Sequence, residues 1–112
     1  MYKQGDILVV PFPYSNLSSV KNRPVLVMSN ERYNANSEDV VICAITSNPK
    51  SAEYSVPFGN EDLAYGAVPS RSRIKADKLF AIEKSQIRKS VARVSDTIIN
   101  RVKDQMLLLF GF

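Results

Sequence analysis

The sequence predicts a mainly β protein, a small barrel of short strands closed by one C-terminal α-helix. Short β-branched, apolar runs alternate with polar segments as far as Val94. The apolar spacing changes to a helical period only after Ser95. No helix-length pattern separates the strands, as parallel β-α-β units require.

Asp6 to Val10, DILVV, follows Gly5 and reads as the first strand, ended by Pro11 and Pro13. Residues 14–22, YSNLSSVKN, form a polar loop. Pro24 to Met28 is the second strand, and Ser29 to Asp39 a polar connection. Val40 to Thr46, VVICAIT, is nearly all apolar, the pattern of a strand buried on both faces. Tyr54 to Phe58 alternates, and Pro57 lacks a ladder donor, which places this strand at a sheet edge. Ala67 to Ile74 and Lys78 to Ile82 read as two strands around a basic segment, and Ser90 to Val94 as a short last one. Ser95 is the expected N-cap of the helix, with Asp96 at the positive end of its dipole. Ile98, Ile99, Val102, Met106 and Leu109 fall at helical spacing, and Gly111 ends the run.

The 112 residues suit a single domain spanning 1–112. With 45% hydrophobic and 23% charged residues, the chain matches neither a disordered tail nor a membrane protein. The N-terminus, MYKQGD, has no signal-peptide pattern, and the expected compartment is the cytoplasm. Histidine is absent. That excludes Ser-His-Asp and Cys-His nucleophiles, a histidine base and most transition-metal sites. Cys43 is the single cysteine, so neither an internal disulfide nor a zinc cluster is available, and no cofactor is expected.

The net charge of +4 is unevenly placed. Residues 1–69 hold five Lys/Arg against seven Asp/Glu, whereas residues 70–112 hold ten against four. Such asymmetry suits a basic face and an anionic partner, although a solvated surface accounts for a modest charge equally well.

Three segments draw attention together: GDILVVPFPYSN followed by KNRPVLVMSN, then VVICAITSN, then RSRIKADKLFAIEK. Taken singly, Arg23 reads as a surface arginine at a strand start, Thr46 as an ordinary β-branched strand residue, and Asp77 as half of a surface ion pair. Their order and spacing resemble the MazF/PemK (Kid) family of toxins from type II toxin–antitoxin pairs, over nearly the whole chain. The resemblance implies a homodimeric SH3-like barrel and a metal-independent endoribonuclease that cuts single-stranded RNA at short sequence motifs. It also implies an acidic cognate antitoxin that covers the RNA site. Residue by residue, Arg23 matches the arginine at the scissile phosphate and Thr46 the active-site hydroxyl. Asp77 and Lys75 match the acid and the basic residue, with lysine standing where an arginine is usual.

The chemistry agrees with this assignment. RNA supplies its own nucleophile, the 2′-hydroxyl, so the protein must move protons and stabilise charge. Arg23 offers a two-pronged fork to phosphate oxygens, and Thr46 adds a neutral donor. Asp77 is a candidate base, and Lys75 either an acid or a fixed charge. The RNA-binding set is Tyr14, Lys21, Asn22, Ser47, Asn48, Arg71, Arg73 and Lys78. Tyr14 and Phe12 suit either base stacking or barrel packing. Arg71, Arg73 and Lys78 suit the carboxylates of the antitoxin, and the apolar Met106 to Phe112 segment suits a two-fold interface. Two other readings remain: a non-enzymatic toxin that binds DNA gyrase, as CcdB-like relatives do, and a nucleic-acid-binding barrel without catalysis.

Overall fold

The computed structural model describes residues 1–12, 21–48 and 50–111. Seven strands and two α-helices follow in the order β1 (Asp6–Phe12), β2 (Lys21–Val27), α1 (Glu31–Asn36), β3 (Asp39–Thr46), β4 (Ser55–Phe58), β5 (Leu63–Gly66), β6 (Ser72–Glu83), β7 (Lys89–Val94) and α2 (Asp96–Phe110). The strands form one antiparallel sheet in the order β4-β6-β3-β2-β1-β7-β5. It curls into a half-barrel, with α2 at the end of the chain, as the sequence leads one to expect.

Strand alternation sorts the apolar side chains into two layers. The inner layer joins Ile7, Leu26, Cys43, Ile45, Val56, Phe58 and Ile74 to Ile98, Ile99 and Val102 of α2. The outer layer holds Leu8, Val10, Val25, Val27, Val40 and Ile42, with Tyr2, Ile82 and Ile87 packed against it. The central strands are therefore buried on both sides, which explains the nearly continuous apolar run of β3.

Helix α2 starts and stops where its sequence says it must. The Ser95 hydroxyl accepts from the Ile98 N–H at 3.4 Å, and Gly111, at φ +73°, closes the helix by donating to the Leu107 carbonyl. Helix α1 lies in the segment read as a polar connection. Asn30 caps it by accepting from the Tyr33 N–H at 2.8 Å. The fully buried Asn34 anchors it, donating to the carbonyls of Tyr2 and Ser29. Its six mostly polar residues, of which Asn34 alone is buried, carry no apolar helical period in the sequence.

The strands depart from the sequence reading in four places. β1 runs through Pro11 to Phe12, because beyond Val9 it is paired with β2 alone, and a proline's missing donor costs little there. β2 begins at Lys21, so Lys21 and Asn22 are strand residues and not loop. The two strands read at 67–74 and 78–82 are one strand, β6, starting at Ser72. Ala44 pairs with Lys75 but the adjacent Cys43 pairs with Leu79, so residues 76–78 form a bulge. Three extra residues reverse the inward–outward phase, which makes one strand look like two. The Leu63–Gly66 strand gives no apolar run because it is a short sheet edge. Gly66 is required there: at φ +83°, a Cβ would meet the Val91 carbonyl of β7 at 2.3 Å.

Cys43 lies in the inner layer, and burial pushes its thiol from 9.0 up to about 12. A neutral buried thiol stabilises the fold fully below its unfolded pKa. Above that value the unfolded chain ionises first, and stability falls by up to about 1.4 kcal/mol per pH unit until the folded thiol also titrates. Denaturant midpoints measured from pH 8 to 11 are expected to fall less steeply for Cys43→Ala than for the parent. Equal slopes contradict the assignment.

Candidate active site

Residues paired across an antiparallel sheet share a face. Three such pairs build the site: Thr46 of β3 with Arg73 of β6, Ala44 with Lys75, and Lys75 with Ser55 of β4. All lie on the outer face, continuing the rows of Val25 and Ile42. Arg23 belongs to the same face, paired with Val10 of β1. Arg23 and Thr46 each stand two residues beyond the Val25–Ala44 pair, so both lie where the apolar layer ends.

A cleft of about 270 Å³ opens at this end, lined by Thr46, Asn48, Lys50, Ser51, Ala52, Arg73, Lys75 and Lys78. Four of these are cations and none is a carboxylate. Among the described residues, Lys50, Arg73, Lys75 and Lys78 make no ion pair. A larger cleft of about 420 Å³ by α2 mixes signs, with Glu31 and Asp96 alongside Arg93 and Lys103. Of these two clefts, the first has the uniformly positive lining that attracts a polyanion.

Two local turns shape the cleft floor. The Thr46 Oγ1 accepts from the Asn48 N–H at 3.1 Å, and the Asn48 Oδ1 accepts from the Lys50 N–H at 3.0 Å. Side-chain oxygens thus stand in for carbonyls, each accepting from a backbone N–H two residues on. With a lone pair of Thr46 engaged, its O–H remains to donate. On the far wall the Arg73 Nε–H donates to the Ser55 Oγ at 3.0 Å, and the Ser55 O–H donates to the Ala52 carbonyl at 2.6 Å.

Of the residues singled out in the sequence, Thr46, Asn48, Arg73, Lys75 and Lys78 come together in the cleft. Lys21, Asn22 and Arg23 lie on β2, and Ser47 is exposed beside Thr46. Asp77 sits exposed on the bulge and does not line the cleft. Arg71 is held elsewhere, in an exposed ion pair with Glu61 at the other end of the β4–β5 connection. That contact raises the guanidinium pKa and lowers the carboxyl pKa. Tyr14 falls outside the described residues. Lys50, Ser51 and Ser55 were not evident from the sequence. Lys50 follows a Thr-Ser-Asn-Pro run whose turn chemistry was its only signal. Among the described residues no three His, Cys, Asp or Glu side chains gather as a metal site, and no helix is long and apolar enough to cross a membrane.

A half-barrel with a C-terminal helix, and with a hydroxyl and four cations free of ion pairs with described residues at one sheet end, defines a small β protein with a positively charged cleft. The sequence profile of the PemK-like, MazF-like toxins of type II toxin–antitoxin systems matches residues 3–110, and the chain belongs to that family. No curated protein matches it. Several solved structures share the fold. An endoribonuclease from a mycobacterial species, in complex with its cognate antitoxin, superposes with a TM-score of 0.82 at 19% identity, covering 100% of this chain and 97% of its own. MazF from Deinococcus radiodurans gives 0.79 at 19% identity, with 99% and 97% covered. The Mycobacterium tuberculosis toxin MazF-mt6 gives 0.77 at 17%, with 96% and 97% covered.

Because the cations are concentrated in the cleft, the double charge reversal Lys75→Glu, Lys78→Glu is expected to abolish binding of a fluorescent, fully 2′-deoxy oligonucleotide. Arg71→Glu should leave affinity and its salt slope close to those of the parent. Equal losses in both variants, read by fluorescence polarisation across a salt series, place the anion site elsewhere.

Proposed function

We propose that this toxin is an endoribonuclease that cuts single-stranded RNA at short sequence motifs, and that its active site is the cationic cleft at the end of β3. The observation that carries the reading is the cleft's composition: a strand-end threonine and four cations with no lining carboxylate, beside Arg23. The solved relatives described as endoribonucleases support it.

The reaction needs no protein nucleophile. The 2′-oxygen of one nucleotide bonds to the adjacent phosphorus as its proton leaves. The bond from phosphorus to the 5′-oxygen breaks, and that oxygen takes up a proton, leaving a 2′,3′-cyclic phosphate and a 5′-hydroxyl. Negative charge grows on the non-bridging oxygens at the midpoint. Arg23 and Thr46 are assigned to those oxygens, Arg23 through parallel N–H donors and Thr46 through its O–H. Lys75 and Arg73 supply fixed positive charge. Asp77, the sole carboxylate in segments 46–52 and 73–78, is assigned to proton transfer. Nothing in the lining set is a natural divalent-metal ligand cluster, so cleavage is expected without added metal.

Long RNA incubated with the protein and EDTA should give discrete fragments, and a 2′-deoxyribose 5′ of the cut should stop cleavage. Arg23→Ala and Thr46→Ala should each lower the rate on the order of 10²–10³-fold while keeping the fold. Intact RNA with inhibited DNA gyrase points instead to a gyrase-binding toxin, and a gel shift without cutting to a plain binding barrel.

Two partners follow from the same reading. An acidic antitoxin segment is proposed to compete with RNA for the cleft, as solved relatives in complex with their antitoxins suggest. A second copy of this chain is proposed to cover the end of α2, where Leu107, Leu108 and Phe110 are about half to two-thirds exposed. Light scattering at micromolar concentration should give twice the chain mass, and Leu108→Glu should give the monomer mass. A parent already monomeric overturns that interface.

A further inference from the structure

We infer that Ser55 is the positioning residue of the cleft, a neutral anchor that fixes the Nε side of Arg73 so that its other N–H groups face a bound phosphate. The inference rests on reading the cleft as the RNA site. Ser55 stands on β4 opposite Lys75, one step along the sheet from the Arg73–Pro57 pair. Diagonal neighbours on one face lie within reach of a long side chain, and the Arg73 Nε–H donates to the Ser55 Oγ at 3.0 Å.

Both hydrogen bonds of Ser55 have a forced direction. A guanidinium only donates, so the serine oxygen must accept from it. The serine proton is then free for the Ala52 carbonyl, which accepts it at 2.6 Å. Ser55 is 9% exposed, so water competes poorly for either bond. Nε is used up by this anchor, and the two Nη groups keep four N–H donors, the fork that suits phosphate oxygens.

The chemistry of the anchor matters as much as its geometry. Arg71, two residues earlier, is held by a carboxylate, that of Glu61, which cancels its charge. Arg73 is held by a hydroxyl, which orients the side chain and leaves its charge intact. A free arginine side chain has substantial rotamer entropy to lose on being fixed. Ser55 removes part of that loss from the bound state by imposing it beforehand. The benefit falls on alignment at the reacting phosphate more than on affinity, because affinity comes from the summed charge of the cleft.

The experiment is a double-mutant cycle with single-turnover RNA cleavage. Ser55→Ala is expected to slow cleavage on the order of 10- to 100-fold. Its affinity for a fully 2′-deoxy oligonucleotide should change by no more than about threefold, since every cationic group remains. Ser55→Thr keeps the hydroxyl and should recover most of the rate. In an Arg73→Ala background, Ser55→Ala should cause no further loss. A parental rate for Ser55→Ala, or an equal loss with and without Arg73, overturns the inference. A measurement on the unmutated protein guards against misfolded variants: the Arg73 Nε–H should exchange with water more slowly than those of the exposed Arg32 and Arg101. Equal exchange means that the anchor is absent. If the parent cuts no RNA, the functional reading fails, while the exchange measurement still decides whether Ser55 holds Arg73.

Discussion

The pairing of β6 along β3 is the constraint on which the rest of the molecule depends. It runs from Asp39–Glu83 at one end to Thr46–Arg73 at the other. Along the way it brings Ile74 and Leu79 to the inner layer and Phe80 and Ile82 to the outer face. The same ladder that closes the core therefore delivers the threonine and the arginine to one spot. A register slip of one residue would turn Ile74 outward and Arg73 into the apolar layer, a loss no sequence of this composition can absorb. The site is rigid because the core requires it to be.

Electrostatics at the cleft run against the fold's own interest. Lys50, Arg73, Lys75 and Lys78 lie close together with no lining carboxylate to screen them. Among the described residues, two cations outside the cleft stand in ion pairs. Arg93 meets the nearly buried Asp6 at 3.2 Å, and Arg71 meets Glu61. On the proposed reading of the cleft, the mutual repulsion of these like charges is relieved when a polyanion binds. Stability and binding thus draw on the same residues with opposite sign.

Most of the fold was legible in the sequence, because its apolar runs are short, β-branched and separated by polar segments. Helix α2 was legible down to its caps, since Ser95 and Gly111 are local signals. Helix α1 was not, because one turn anchored by a buried asparagine leaves no periodic trace. β6 was read as two strands, because the bulge at 76–78 reverses its alternation, and period-2 reasoning assumes an unbroken phase. In the site, Thr46 and Lys75 were accessible through the order and spacing of segments that resemble the toxin family, and Arg73 and Lys78 through the basic run around them. Lys50 and Ser55 were not, since only the hydrogen bond from the Lys50 N–H to Asn48 and the pairing of β4 with β6 bring them near. Arg71 looked equivalent to Arg73 in sequence, and the difference lies wholly in what each meets.

The bulge also bears on how such a protein changes over generations. Asp77 and Lys78 are exposed on it without a partner position in β3, whereas Lys75 and Leu79 are locked to theirs and Ala76 is buried in the inner layer. Substitution at these two positions leaves both layers and every ladder bond of the flanking halves in place. The pairing of Cys43 with Leu79, and not the number of bulge residues, sets the phase from Leu79 to Glu83, so a residue gained or lost at the bulge can be absorbed there. The rim of the cleft is thus free to drift in chemistry and in length while the scaffold beneath stays the same.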